Sequence, residues 1–95
     1  MANTQKGFQK EDAEDLLHQL KEYYETQRDE WSKVLNQWKS LESTWQDKQY
    51  QKFEPLFEKL SFAYSEAEKD CEKYIAFIQR RIKVEEQKED KLGNL

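Results

Sequence analysis

Apolar residues in the first half of the chain recur at alternating steps of three and four positions. The series is Leu17, Leu20, Tyr24, Gln27, Trp31, Val34, Trp38, Leu41 and Trp45, with Gln27 as its single polar member. Alternating steps of this kind are the heptad pattern of an amphipathic helix that packs against another helix. At about 100° per residue, the apolar side chains of this segment fall on one face about 120° wide. We therefore predict a long helix that begins near residue 11 and turns one face toward a partner.

The second half of the chain has similar spacing with different residues. Its series is Phe53, Leu56, Phe57, Leu60, Tyr64, Ala67, Cys71, Tyr74, Ile78 and Ile82. Between the two series, Ser43, Thr44 and Asp47 interrupt the pattern with side chains that often cap helices. We therefore place a turn near residues 43–47. Because a short turn makes neighbouring helices antiparallel, the predicted fold is an all-α, antiparallel two-helix hairpin over residues 11–84.

Pro55 leaves the start of the second helix open between two alternatives. Proline is well tolerated only in the first turn of a helix. Either the helix begins near Lys48 and is kinked at Pro55, or the chain between Asp47 and Glu54 is irregular and the long helix begins at Pro55.

Polar sequences flank the hairpin on both sides. Residues 1–10 contain a single large aromatic residue, Phe8, and we expect them to form a flexible N-terminal arm. Residues 85–95 are mostly charged, and we expect them to form a C-terminal tail that frays.

The composition indicates a narrow core and a large solvated surface. Of the 95 residues, 36 % are hydrophobic and 38 % are charged, whereas an average globular chain is about 25 % charged. A hairpin also forms a single layer, and two layers are the usual minimum for a stable core. We therefore expect the chain to dimerise, with itself or with a similar helical protein, into a four-helix bundle.

Three tryptophans mark the predicted contact surface. Trp31, Trp38 and Trp45 are spaced seven residues apart, and a covered tryptophan buries on the order of 150–250 Å². Part of this stripe should be core between the two helices, and another chain should cover the remainder. The residues predicted for this core and interface are Trp31, Val34, Trp38, Leu41, Trp45, Phe53, Leu60 and Ile78.

Three further positions on the helices have two interpretations each. Gln27 either fixes register or partner choice, at some cost in stability, or lies at a loosely packed end of the bundle. Phe62 and Phe77 fall on the back of the second helix, where each is either an outer contact site or an isolated surface aromatic residue.

The residues that could carry chemistry do not form a catalytic constellation. The one histidine, His18, is predicted to face solvent, and the one cysteine, Cys71, belongs to the second apolar series as a structural thiol. One of each is too few for a Cys and His zinc site within one chain, and a two-helix hairpin has no cavity for converging polar groups. We predict a non-catalytic protein without a metal or cofactor.

The charge distribution narrows the class of partner. The formal charge of −4 comes from 16 basic and 20 acidic residues, and both signs alternate, so there is no basic block that would follow a phosphate backbone. No run approaches the ~18 apolar residues of a membrane span, and the N-terminus lacks the apolar core of a signal peptide. We expect synthesis in the cytoplasm, no nucleic-acid or membrane partner, and, if the protein is exported, a route without a cleaved signal peptide.

At the predicted turn, Trp45 is followed two positions later by a turn residue, Asp47, and eight positions later by an aromatic residue, Phe53. This arrangement resembles the central motif of the WXG family, small helical hairpins associated with type VII (ESX) secretion. The family's motif glycine is Asp47 here. The family's C-terminal Tyr-x-x-x-Asp/Glu export signal is matched in the second half only by Tyr64 to Glu68, inside the second helix.

The resemblance implies a dimerising, secretion-associated substrate, chaperone or adaptor for a larger secreted or complex-forming protein. The alternative is a non-secreted structural or regulatory subunit of a larger complex.

Overall fold

Two long helices account for nearly all of the described chain. The computed structural model describes residues 7–93, in which helix α1 runs over Lys10–Glu42 and helix α2 over Lys48–Gly93. The helices contain 33 and 46 residues and lie side by side in a hairpin that measures 72 × 30 × 15 Å. The all-α, two-helix hairpin predicted from the apolar pattern is confirmed.

The turn between the helices is held by side-chain bonds on both sides. At the end of α1, the Ser43 hydroxyl donates to the carbonyl oxygen of Ser40 at 2.7 Å. At the start of α2, the backbone N–H of Tyr50 donates to Oδ1 of Asp47 at 3.0 Å, which is the bond that an N-cap side chain makes to the third helical residue. The connection therefore occupies residues 43–47, where the sequence predicted it.

Helix α2 begins at Lys48, so the first of the two alternatives for its start is correct. Pro55 lies inside the helix, where its ring nitrogen lacks the hydrogen that would bond to the carbonyl oxygen of Gln51. The helix nevertheless starts before this point, because the Asp47 cap satisfies a backbone N–H of its first turn.

The charged C-terminal segment is helical rather than a fraying tail. Helix α2 continues through residues 85–93, while residues 94–95 lie outside the described residues. Nζ of Lys10, at the start of α1, lies 3.5 Å from Oε2 of Glu86 and 3.3 Å from Oε1 of Glu89. The tail prediction was wrong for the helical part because it treated these charges as solvated, whereas two of them pair with α1.

The predicted N-terminal arm packs against α2 where it approaches α1. Residues 1–6 lie outside the described residues, but Phe8 is half-buried, and Cζ of Arg81 lies 3.9 Å from the centroid of its ring. A guanidinium over an aromatic face is attracted by the ring quadrupole. Nη1 of Arg81 also donates to Oε1 of Glu85 at 3.0 Å. Phe8 is therefore held against α2 and is not part of a flexible arm.

The core of the hairpin is thin. Among the described residues, the buried apolar side chains are Ala13, Phe57, Cys71 and Ile82. Cys71 is buried, as its place in the second apolar series predicted. Since each helix covers the other from one direction only, a single hairpin cannot enclose many large side chains.

Candidate interaction surface

Aromatic rings form a continuous stack between the helices in the half of the hairpin nearest the turn, which we call the aromatic ladder. Its members are Trp45, Tyr50, Phe53, Trp38, Phe57, Trp31 and Tyr64. The closest pairs are Trp38 with Phe57, whose ring centroids are 4.3 Å apart, and Trp31 with Tyr64, 4.7 Å apart. Such pairs add about 0.5–1.5 kcal/mol beyond their buried area. The tryptophan stripe is thus a main contact between α1 and α2.

On one flat side of the hairpin, which we call the polar face, polar side chains bridge the two helices. Nε of Arg28 lies 3.4 Å from Oε2 of Glu68, and the Tyr24 hydroxyl donates to Glu72. Cζ of Arg28 also lies 5.6 Å from the ring centroid of Tyr24, and the Tyr64 hydroxyl donates to Glu68. These contacts form one connected network, so the chain satisfies the polar groups of this face from its own residues.

Carboxylates on the polar face keep tyrosine hydroxyls protonated. The hydrogen bond to Glu72 raises the pKa of Tyr24 to about 12. Burial, with hydrogen bonds to Glu54 at 2.8 Å and Glu42 at 2.9 Å, raises the pKa of Tyr50. A protonated phenol donates to a carboxylate, whereas a phenolate would be repelled by it. The polar face therefore depends on neutral tyrosines.

The opposite flat side, which we call the apolar face, exposes large apolar side chains from both helices. It consists of Leu16, Tyr23, Val34 and Leu41 on α1 and Leu56, Leu60 and Tyr74 on α2. These side chains belong to residues that are between 41 % and 59 % exposed. A large contiguous apolar patch on a protein surface is typical of an interaction site.

Helical geometry places the two exposed rows on the same side. On α1 the row lies about 60–80° back from the direction of Trp31, and on α2 it lies about 60–100° back from the direction of Phe57. Trp31 and Phe57 stack on each other between the helices. Because the helices are antiparallel, the same sense of rotation in both leads to one flat side. Arg28 and Glu72 are rotated in the opposite sense, which separates the polar face from the apolar face.

The residues predicted for the core and interface divide into two groups. Trp31, Trp38, Trp45 and Ile78 are half-buried, whereas Val34, Leu41, Phe53 and Leu60 are exposed. The exposed group does not belong to the core of the single hairpin, because the facing helix covers only one side of the stripe. Its place in an interface with another chain stays a prediction.

The heptad pattern did not separate side chains that face the other helix from side chains on the apolar face. Both kinds fall within one 120° stripe, so Leu16, Tyr23, Leu56 and Tyr74 were not singled out. The buried Ala13 is the useful signal that was missed, since a small residue on the stripe marks the side where the helices approach closely.

The turn-motif residues meet in space. The ring centroids of Trp45 and Phe53 are 5.9 Å apart, and Asp47 caps α2 between them. None of the described non-glycine residues has a positive φ, so glycine offers no conformational advantage at position 47.

The remaining candidate residues lie apart from one another. His18 is exposed, with Nε2 2.9 Å from Oε1 of Glu22. Burial raises the pKa of the Cys71 thiol. Phe62 and Phe77 are 69 % and 63 % exposed; Phe77 lies beyond the outer edge of the apolar face, and Phe62 points away from α1. Gln27, also exposed, lines a shallow notch between the helices.

Two surveys of the described residues complete the picture of the site. Within residues 7–93 there is no group of three or more side chains suited to hold a metal ion. In the same part of the chain, neither helix contains a stretch apolar enough to cross a membrane. No protein-family model matches the chain, and comparisons with curated proteins and with solved structures found no match.

Proposed function

We propose that this chain is a non-catalytic protein–protein interaction module whose apolar face is covered by a second helical chain, its own copy or a similar protein, in an antiparallel four-helix bundle. The observation that carries the proposal is the apolar face, on which seven large side chains stay about half exposed. Covering this face would give the hairpin the second layer that a stable core usually needs.

The dimensions of the apolar face suit a stable interface. The 33 residues of α1 span about 50 Å at ~1.5 Å per residue, and two helices 8–10 Å apart form a strip roughly 18 Å wide. The resulting area is on the order of 800–900 Å², and a standard protein interface buries about 800 Å² on each partner.

Within this class, we propose the role that the resemblance at the turn implies, a WXG-like secretion-associated substrate, chaperone or adaptor. The contact of Trp45 with Phe53 and the cap at Asp47 support it, because they give the motif residues a joint structural role without the motif glycine. Detection of the protein in culture medium without cell lysis would test export. Retention inside intact cells would favour the non-secreted subunit instead.

Size-exclusion chromatography with light scattering tests the interaction role. Leu60 and Phe62 are 51 % and 69 % exposed and lie two positions apart on different sides of α2. We expect a dimeric mass for the wild-type chain, a monomeric mass for Leu60→Glu because a charge enters the covered face, and an unchanged dimer for the matched control Phe62→Glu. Circular dichroism of each variant checks that the helices are retained.

The outcomes separate three arrangements. A folded monomeric wild type would contradict self-association through the apolar face. A dimer that resists Leu60→Glu but is lost in Phe62→Glu would move the contact to the outer side of α2.

A further inference from the structure

We infer that the chain covering the apolar face is a second copy with its turn at the same end, so that α1 of each copy lies across α2 of the other. The inference rests on the interaction role proposed above and adds the occupant and its orientation. Two features of the described residues carry it: the charges along the two edges of the apolar face, and a notch at its centre.

The two long edges of the apolar face carry opposite charge. The α1 edge, taken as positions rotated about 100–160° away from the inter-helix contact, has three acids and one base: Asp12, Asp15, Glu30 and Lys33. The α2 edge, selected in the same way over the length that faces α1, has three bases and one acid: Lys52, Lys59, Asp70 and Arg81. The edges are therefore complementary to each other and not to themselves.

Two stacking arrangements would bring the apolar faces of two copies together around a two-fold axis. With both turns at the same end, each α1 edge lies along the α2 edge of the other copy, and acid-rich meets base-rich. With the turns at opposite ends, α1 lies along α1 and α2 along α2, so acid-rich meets acid-rich and base-rich meets base-rich. Like charges in close apposition across an interface are unfavourable, which favours the first arrangement.

The contacts within the hairpin show which residues would lie at one level in that arrangement. Arg28 pairs with Glu68 and Tyr24 with Glu72, so residue numbers at one level add up to about 96, with the helical rise equal in both helices. Asp15 then faces Arg81 of the second copy, because the same levels apply when both turns coincide.

The apolar side chains fit the same register. Val34 lies at the level of Leu60, and Leu41 at the level of Leu56, so exposed apolar side chains of one copy would meet exposed apolar side chains of the other. The stack would place them in pairs along the length of α1.

A notch at the middle of the apolar face supplies the second feature. Its lining includes Tyr23, Gln27, Ala67 and Cys71, and its volume is about 50 Å³. Here α2 offers only small side chains, while Tyr23 on the opposite helix is 59 % exposed. With the turns together, Tyr23 of the second copy lies at the level of Cys71, so a large ring stands over a small-residue depression in both directions.

A distance between spin labels at the turn distinguishes the orientations. We would label Gln46→Cys in a Cys71→Ser background, since Gln46 is exposed and the substitution leaves one reactive thiol. With the turns together, two labels across a bundle of helices 8–10 Å apart should lie within about 30 Å. With the turns apart and the stack centred on the notch at Gln27, they should lie about 57 Å apart.

A second label at Lys88→Cys, near the other end of α2, should again give a short distance. Cys71→Ala replaces Cys71→Ser if circular dichroism shows that the serine variant has lost helicity. Light scattering on the labelled protein makes the outcomes separable. A dimer with short distances at both sites supports the inference. A dimeric mass with a distance near 57 Å at Gln46 overturns the orientation and leaves the interaction role standing. A monomeric mass overturns the second copy as occupant and, with it, self-association through the apolar face.

Discussion

The two flat sides of the hairpin differ in where their side chains find partners. On the polar face, Arg28 on α1 pairs with Glu68 on α2, and Tyr24 bonds to Glu72. On the apolar face, Val34 and Leu60 stay 41 % and 51 % exposed. The comparison indicates that one chain completes its own structure on one side only.

The aromatic ladder lies between the two sides and has a different role from either. Stacked rings such as Trp38 on Phe57 hold α1 against α2 through dispersion and buried area. We therefore expect changes in the ladder to unfold the chain, changes on the apolar face to affect association, and changes on the polar face to have small effects.

The largest expected effect is that of Trp38→Ala. Trp38 contacts the rings of Tyr50, Phe53 and Phe57, and its removal should lower the free energy of unfolding by about 3 kcal/mol, the low end of the range for buried tryptophan because it is half-buried here. Urea denaturation followed by circular dichroism measures this. The control Phe62→Ala, on an exposed side chain, should stay within about 0.5 kcal/mol of wild type. Equal stability of the two variants would mean that the ladder does not hold the helices together.

The apolar face should make thermal stability depend on protein concentration. If two copies bind through this face, a tenfold rise in concentration favours the folded dimer by about 1.4 kcal/mol, and the melting temperature rises. In Leu60→Glu this dependence should disappear. Melting curves over a hundredfold range of concentration measure the effect, and a wild-type melting temperature that stays constant across that range would argue against the comparison drawn between the two sides.

On the polar face, Arg28→Ala should have a small effect. Its side chain is 56 % exposed where it meets Glu68, and exposed ion pairs contribute about 0.2–1 kcal/mol. High salt screens such pairs, so the difference from wild type in urea denaturation should shrink in 1 M NaCl. A loss as large as that of Trp38→Ala would show that the polar network, and not the ladder, joins the helices.

The sequence predicted the helical hairpin, the turn and the apolar stripe because each depends on local spacing and capping. The steps of three and four around Trp31 and Trp38 require a helix, and Asp47 has the chemistry of a cap. The continuation of α2 beyond residue 84 could not be read in this way, since it involves Lys10 pairing with Glu86 and Glu89 from the far end of the chain.

The division of the stripe into contact side and apolar face was beyond the reach of the pattern for a different reason. Val34 and Trp38 belong to one stripe, and only the direction from which α2 approaches decides that Trp38 is half-buried and Val34 is exposed. That direction depends on the pairing of both helices, which neither series contains on its own.

The smallest effect near neutral pH, and the most specific one, concerns Tyr24→Phe. The hydrogen bond to Glu72 raises the pKa of Tyr24 to about 12 in the folded chain, compared with about 10 in an unfolded chain. The folded state therefore favours the protonated phenol, so this stabilisation is fully present below pH 10 and is lost as the pH rises from about 10 through about 12. Urea denaturation at several pH values should show a fall in stability over this window that is smaller in Tyr24→Phe than in wild type. Tyr23→Phe, which removes a hydroxyl from the apolar face, should keep the wild-type profile. If both variants changed the alkaline profile equally, the hydroxyl of Tyr24 would have no special part in closing the polar face.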